Sequence, residues 1–225
     1  MMVRAKRDLD GLRKTRTLTP TPLPMEGGFR SLALQVPDIR IETERLILRP
    51  PRAEDFDAYA AKMADAEATR FIGGAQIRAV AWRSFLAKAG AWAIQGFSMF
   101  SVIEKASGRW IGQLGPWYPE GWPGTEVGWG LVREAWGKGY ACEGAVAAID
   151  WAFDHLGWSE VIHSIDPENH ASQALARRLG STCHGPGLLP APCADTPIEI
   201  WGQTRDEWHR RRAAMNAVIQ CGESN

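Results

Sequence analysis

The sequence predicts an α/β sandwich built on a mixed sheet, and three features of the chain lead to that prediction. Strand-like and helix-like patterns follow one another in the order strand, two helices, three antiparallel strands, helix, strand, helix, strand. A glycine-rich stretch, "EAWGKGYACEGAVAAIDWAF" at 134–153, runs directly into the most regular amphipathic pattern of the chain,. With 225 residues, 45% of them hydrophobic, the composition is that of a globular protein of one large domain, or one domain plus a tail,.

Residues 1–37 differ from the rest of the chain. The first 31 hold seven Lys or Arg against three acids, and prolines at 20, 22 and 24, with no periodic apolar face. This composition reads as a disordered tail without the apolar region of a secretory leader. Met25 or a residue near Val36 is then an alternative start, and a basic targeting arm is the second reading. The folded domain is expected over 38–212, with 213–225 as a C-terminal tail.

Within the domain, "RLILR" at 45–49 alternates as a strand, Pro50 and Pro51 end it, and Glu54 and Asp55 supply the acidic first turn of a helix,. Helices are expected over 54–66 and 77–94, separated at Gly73 and Gly74,. Strands over 97–104 and 110–114 form a hairpin around Ser107 and Gly108, and "TEVGWGLV" at 125–132 makes a third,. From Cys142 to Leu156, apolar residues recur at helical spacing over about four turns, ending at Gly157,. A buried-type strand over 161–165 precedes a helix capped by Asn169 or Ser172 and closed by Gly180,. A last strand covers 197–203, and the final 20 residues read as a polar, basic helix.

Bulk properties exclude several classes of function. Twenty-six basic residues balance twenty-six acidic ones, so there is no cationic excess to bind nucleic acid,. No apolar run reaches the length of a membrane span. Cys142, Cys183, Cys193 and Cys221 are scattered, with no C-x-x-C pair. Thiols in a reducing cytoplasm are the expectation, ahead of a metal cluster around Cys183, His184 and Cys193; no metal is expected.

The turn "WGKGYA" at 136–141 poses the chemical question. A strand end, two glycines and a helix start direct several N–H groups and the positive end of the helix dipole at one point, which suits a diphosphate with Lys138 at its rim,. A plain strand-to-helix turn would use the same glycines for positive φ. Two nucleotide motifs fail here. Cys142 stands where G-x-G-x-x-G needs its third glycine, and Gly139 stands where a P-loop needs Ser or Thr after Lys138,.

"ETERLILRPPRAEDFDAYA", "TEVGWGLVREAWGKGYACEGAVAAIDWAF" and "DPENHASQALARRLGS" together resemble the GNAT acetyltransferases, in particular the branch with the RimJ/RimL-type ribosomal-protein acetyltransferases. The resemblance covers roughly residues 38–210. It implies a mixed, mostly antiparallel sheet flanked by helices, with a splayed strand pair that holds acetyl-CoA. The family's diphosphate loop maps onto Trp136, Gly137, Lys138, Gly139, Tyr140 and Ala141, the leading Trp being a departure from the broad pattern. The resemblance also implies that pantetheine pairs with backbone near Leu131 and Val132, that Asn169 binds the cofactor, and that Ser172 approaches the thioester sulfur. Many relatives carry a tyrosine acid shortly after this Ser; none occurs between 164 and 185, so Ser172 takes that role.

Glu126 is the candidate general base, or else a hydrogen-bonded strand glutamate; His163 and His170 are other candidates,. Of the eleven tryptophans, Trp117 and Trp122 sit in a loop beside the expected site, and Trp82 and Trp92 on a helix that walls the acceptor groove in the family. Most are expected in the core. The implied partners are acetyl-CoA and an amine acceptor, a peptide N-terminus or a small molecule, with the protein a cytoplasmic monomer or homodimer.

Overall fold

The structure, a computed structural model, describes residues 36–222, with side chains described as far as residue 213. The tail expected over 1–37 lies outside them except for its last two residues. In chain order the elements are β1 (Ile41–Glu42), β2 (Leu46–Arg49), a 3-10 turn (Ala53–Asp55), α1 (Phe56–Ala64), α2 (Arg78–Gln95), β3 (Phe100–Glu104), β4 (Trp110–Trp117) and β5 (Glu126–Leu131). They continue with a second 3-10 turn (Arg133–Ala135), α3 (Tyr140–His155), β6 (Glu160–Ile165), α4 (His170–Leu179), β7 (Thr182–Gly187), β8 (Ile198–Thr204) and α5 (Arg205–Gly222).

One eight-stranded sheet runs β1-β2-β3-β4-β5-β6-β8-β7, and every pair is antiparallel except β5 with β6. This is the expected mixed sheet with two additional edge strands. β1 is two residues long, and β7 ("TCHGPG") is mostly exposed and has no apolar alternation, so neither carries the period of a half-buried strand,.

Each face of the sheet covers its own apolar cluster. On one face α3 lies over Leu46, Leu48, Phe100, Val102, Leu114, Val127 and Leu131. Gly144 lets α3 approach closely, because a Cβ there would sit 2.5 Å from Leu114 Cδ2. On the other face Tyr59, Met63 and Phe85 of α1 and α2 pack against Ile103 and Trp110. Asp55, expected only as an acidic first-turn residue, fastens this layer to the sheet. It takes both Arg49 Nη atoms at 2.7 Å and Ser101 Oγ at 2.7 Å. Burial alone would raise its pKa, but these donors and the Arg52 N–H hold it below the usual carboxylate range,.

The feature that positions the site is the splay between β5 and β6. β4 and β5 keep six residue pairs in register, from Gly112 with Leu131 to Trp117 with Glu126. β5 and β6 keep one, Glu126 with Ile162, where Ile162 N–H donates to Thr125 O at 2.9 Å. Beyond it the strands part.

Candidate active site

The splay exposes the far edge of β5, and strand alternation decides which residues present backbone there. Thr125 O and Val127 O point to the β6 side, the first to Ile162 N and the second to His163 Nδ1 at 2.7 Å. Trp129 and Leu131 follow in the same phase. Val132 does not. Its N–H donates to Ile111 O at 2.9 Å, so of the expected pair Leu131 presents its backbone to the gap and Val132 presents its N–H to β4.

At the end of this edge lies the glycine loop. Gly137 and Gly139 adopt φ of 71° and 80°, a region only glycine enters freely, and Gly139 is the N-cap of α3,. Among the described residues the N–H groups of 137, 138 and 139 donate to no backbone carbonyl, and the first turn of α3 adds its own free donors,. The loop is braced from outside. Arg45 Nη1 donates to Lys138 O at 2.9 Å, Arg45 Nε donates to Glu143 Oε2 at 2.7 Å, and Thr43 Oγ1 donates to Glu143 Oε1 at 2.6 Å. Tyr140 is tied to β3 through its hydroxyl, 2.6 Å from Glu104 Oε1. Trp136 Nε1 donates to Leu131 O at 3.0 Å, so the unusual leading Trp links loop and strand. This open set of N–H groups fits the diphosphate that the motif implies. Ala141 follows on the first turn of α3 and packs against the core.

Across the gap, Asn169 caps α4: its Oδ1 accepts from Ser172 N–H at 3.1 Å, which leaves the amide NH2 for a ligand. Trp129 Nε1 donates to Ser172 Oγ at 3.1 Å. That bond occupies one lone pair of Ser172 and leaves its O–H free to donate.

A cavity of about 280 Å³ opens on the α1/α2 side of this edge, lined by Glu126, Ser172, Asn169, Trp117 and Trp122 among others. A larger groove of about 1040 Å³, between β1 and the outer side of α3, holds none of the expected site residues. Glu126 is buried; its Oε2 accepts from Trp122 Nε1 at 2.6 Å and from Ser164 Oγ at 2.7 Å. Burial pushes its pKa up to about 7, against the opposing pull of the Ser164 and Trp122 bonds,. His163 is no base. Nδ1–H donates to Val127 O, Ser181 Oγ donates to Nε2 at 3.0 Å, and burial lowers its pKa to about 4. It is a neutral strut between the parted strands. His170 is exposed on the first turn of α4.

Two cationic cavity residues were not foreseen. Lys62 of α1, only 3% exposed, and half-buried Lys88 of α2 both line it. The signal was present in the spacing. Lys62 lies three residues after Tyr59, and Lys88 lies three after Phe85 and four before Trp92, so each sits on its helix's buried stripe,. The tryptophans divide between cavity and packing. Trp117 and Trp122 line the cavity, whereas Trp92 is buried in the α3 cluster and Trp82 packs outside against Phe56 at 4.6 Å. Among the described residues no group of three or more His, Cys, Asp or Glu could hold a metal, and no helix is long and apolar enough to cross a membrane.

The family model of the acetyltransferase (GNAT) domain matches residues 45–182, a span that includes β5, the glycine loop, β6 and α4. The chain belongs to the GNAT acetyltransferases. It is 31% identical over 140 residues to the N-acetyltransferase p20 of Bacillus licheniformis, covering 61% of this chain and 79% of that protein. It is 34% identical over 87 residues to YkkB of Bacillus subtilis, covering 38% of this chain and about half, 51%, of that relative's length. Among solved structures, an acetyltransferase from Agrobacterium tumefaciens superposes with a TM-score of 0.67 at 31% identity, over 79% of this chain and 100% of that one.

Proposed function

We propose that this protein transfers an acetyl group from acetyl-CoA to a primary amine by direct attack on the thioester. The observation that supports it is the placement of Glu126 and Ser172 around one cavity, at the mouth of a strand gap that ends in an anion-binding loop. Trp129, Leu131, Asn169 and the loop at 137–141 hold the co-substrate. Glu126 takes the proton from the amine as the C–N bond forms. Ser172 donates a hydrogen bond to the sulfur as the C–S bond breaks. Trp122 and Ser164 are positioning residues that fix the Glu126 carboxylate. No covalent enzyme intermediate is needed.

The amine must be neutral to attack. With reference pKa values near 7.8 and 10.4, about one α-amine in seven is neutral at pH 7, against about one lysine amine in 2,500. A carboxylate with a pKa near 7 is a base suited to the first kind, so low-pKa amines are the proposed acceptors, protein N-terminal α-amines of the RimJ/RimL kind foremost,. A small-molecule acceptor such as an amino acid or amino sugar is the second reading, favoured by the size of the cavity, about 280 Å³.

Release of free thiol from acetyl-CoA, measured with N-terminal peptides, amino acids, amino sugars and polyamines, tests transfer. CoA binding without thiol release from any amine would make the protein a binding module. Calorimetry with Gly139→Asp tests the loop: a side chain at φ 80° and a like charge at the helix start should weaken CoA at least tenfold,. Unchanged affinity in the folded variant would remove the diphosphate assignment.

A further inference from the structure

The two cavity lysines have no role in the chemistry above, and their surroundings do not explain them. Lys62 Nζ has one polar contact among the described residues, Met63 Sδ at 3.9 Å. Lys88 Nζ reaches the Tyr59 hydroxyl at 3.3 Å and lies 5.4 Å from the centre of the Trp117 ring. Neither forms an ion pair among the described residues. The cavity's two carboxylates are engaged elsewhere, Glu126 with Trp122 and Ser164, and Asp166 with the Glu168 N–H. A lysine at a surface extends its ammonium into water; Lys62, at 3% exposure, does not,. Burial lowers both pKa values to about 8, and for Lys62 the nearby Lys88 charge adds to the effect. Two like charges in one pocket are unfavourable until an anion joins them.

Their place along β5 gives the anion an address. Glu126, Gly128 and Gly130 share the face turned away from α3. A Cβ on Gly128 would lie 3.0 Å from Glu126 Oε1, and a Cβ on Gly130 would lie 3.0 Å from Lys62 Nζ. The two glycines floor a trough with the base at one end and an ammonium at the other, one two-residue step apart, about 7 Å along the strand. The glycine loop and its helix start belong to the opposite, α3 face, so the lysines do not serve the diphosphate.

We propose that the acceptor is a small amine carrying a carboxylate, which Lys62 and Lys88 receive while the amine lies against Glu126. This deepens the acetyltransferase reading and rests on it. It selects the second acceptor reading, a small amino-acid-like amine, over the protein N-terminus, and asks more of Glu126, because an amine beside a carboxylate is more basic than a peptide α-amine.

The test is a series of ω-amino acids from glycine to 6-aminohexanoate, each paired with its carboxamide, assayed by thiol release. A carboxylate stabilises the ammonium at short range, so intrinsic amine reactivity favours the amide. The reverse preference must come from the protein. At least one carboxylate should show a KM at least tenfold below that of its amide. Lys62→Met and Lys88→Met should each collapse that ratio, while Lys105→Met, outside the cavity, should retain it. Amides that match or beat their carboxylates at every length would overturn the proposal, as would a ratio that survives both cavity substitutions. If no amine turns over, the same compounds are titrated into the CoA-loaded protein by calorimetry. Carboxylates that bind wild type but not Lys62→Met would support the anion site while the transfer reading fails, and absence of carboxylate binding would overturn it.

Discussion

On the face of β5 turned to α3, Val127 and Leu131 pack into an apolar cluster with Leu114, Ile149 and Phe153, and Gly144 brings the helix down onto the sheet. On the opposite face of the same strand, Glu126, Gly128 and Gly130 meet Lys62, and Lys88 lines the same cavity. The first face follows the ordinary rule that apolar surface is buried and polar groups are left out. The second buries a carboxylate and an ammonium without pairing them and leaves space where side chains could pack. A strand six residues long thus divides core from cavity largely by side-chain parity, with Trp129, whose Nε1 donates to Ser172 Oγ, the exception. Substitutions on its two faces should therefore move different quantities.

Glu126→Gln is the most damaging to catalysis. With the carboxylate as the base, kcat/KM should fall about 10- to 100-fold, equivalent to about 1.4–2.7 kcal/mol. Because the base acts when deprotonated, wild-type rate should rise with pH through about 7, and the variant should lose that limb. A pH–rate profile with one acceptor decides it. A limb near 7 that survives the substitution would assign the titration to another group.

Gly144→Ala tests the other face. The new Cβ meets Leu114 Cδ2 at 2.5 Å inside a fully buried cluster, and displacing that side chain should cost about 2 kcal/mol,. Denaturant unfolding should report the loss, while KM for the acceptor stays near wild type. A folded, equally stable variant would show that α3 can lift off the sheet without strain.

Ser172→Ala should have a smaller effect, about fivefold on kcat and little on KM for acetyl-CoA, because a hydroxyl facing the leaving sulfur acts mainly in the transition state. An increase in KM with kcat unchanged would make Ser172 a binding residue.

Much of this arrangement was legible in the sequence because it depends on local rules. Gly137 and Gly139 ahead of an apolar period of 3.6, Asn169 three residues before Ser172, and the alternation of 126–131 each signal structure within a few residues. The unexpected features are relations across the chain. The Val132 N–H faces β4 because the register of β5 on β4 fixes the backbone phase, and no local propensity determines that register,. Arg45 reads as an ordinary strand residue until the fold brings it to Lys138 and Glu143. Trp122, from the loop between β4 and β5, and Ser164, from β6, meet at one carboxylate. Lys62 and Lys88 lie on inward stripes that periodicity marks as apolar, and a lysine there reads as a boundary residue until the cavity is seen.

The smallest expected effect separates the two faces most cleanly, because its sign is opposite to that of a core substitution. Lys62 has a pKa of about 8 in the folded protein and near 10.4 when unfolded,. Between those values the unfolded state binds more protons, so stability should rise with pH across that window, and below about 8 the folded protein bears the full penalty of the buried charge. Lys62→Met keeps the length of the stem and removes the charge. It should stabilise the protein near pH 7 by about 1 kcal/mol, after allowance for water reaching the cavity. The gain should shrink as pH approaches 10, where wild-type Lys62 is itself mostly neutral. Lys88 is coupled to Lys62, so the difference between the two proteins also carries the relief of Lys88 by loss of the neighbouring charge, which has the same sign. Thermal unfolding of wild type and Lys62→Met at pH 7, 8.5 and 10 makes the measurement. A variant less stable than wild type at pH 7 would show that Lys62 supports the fold, and the two faces of β5 would then follow one rule.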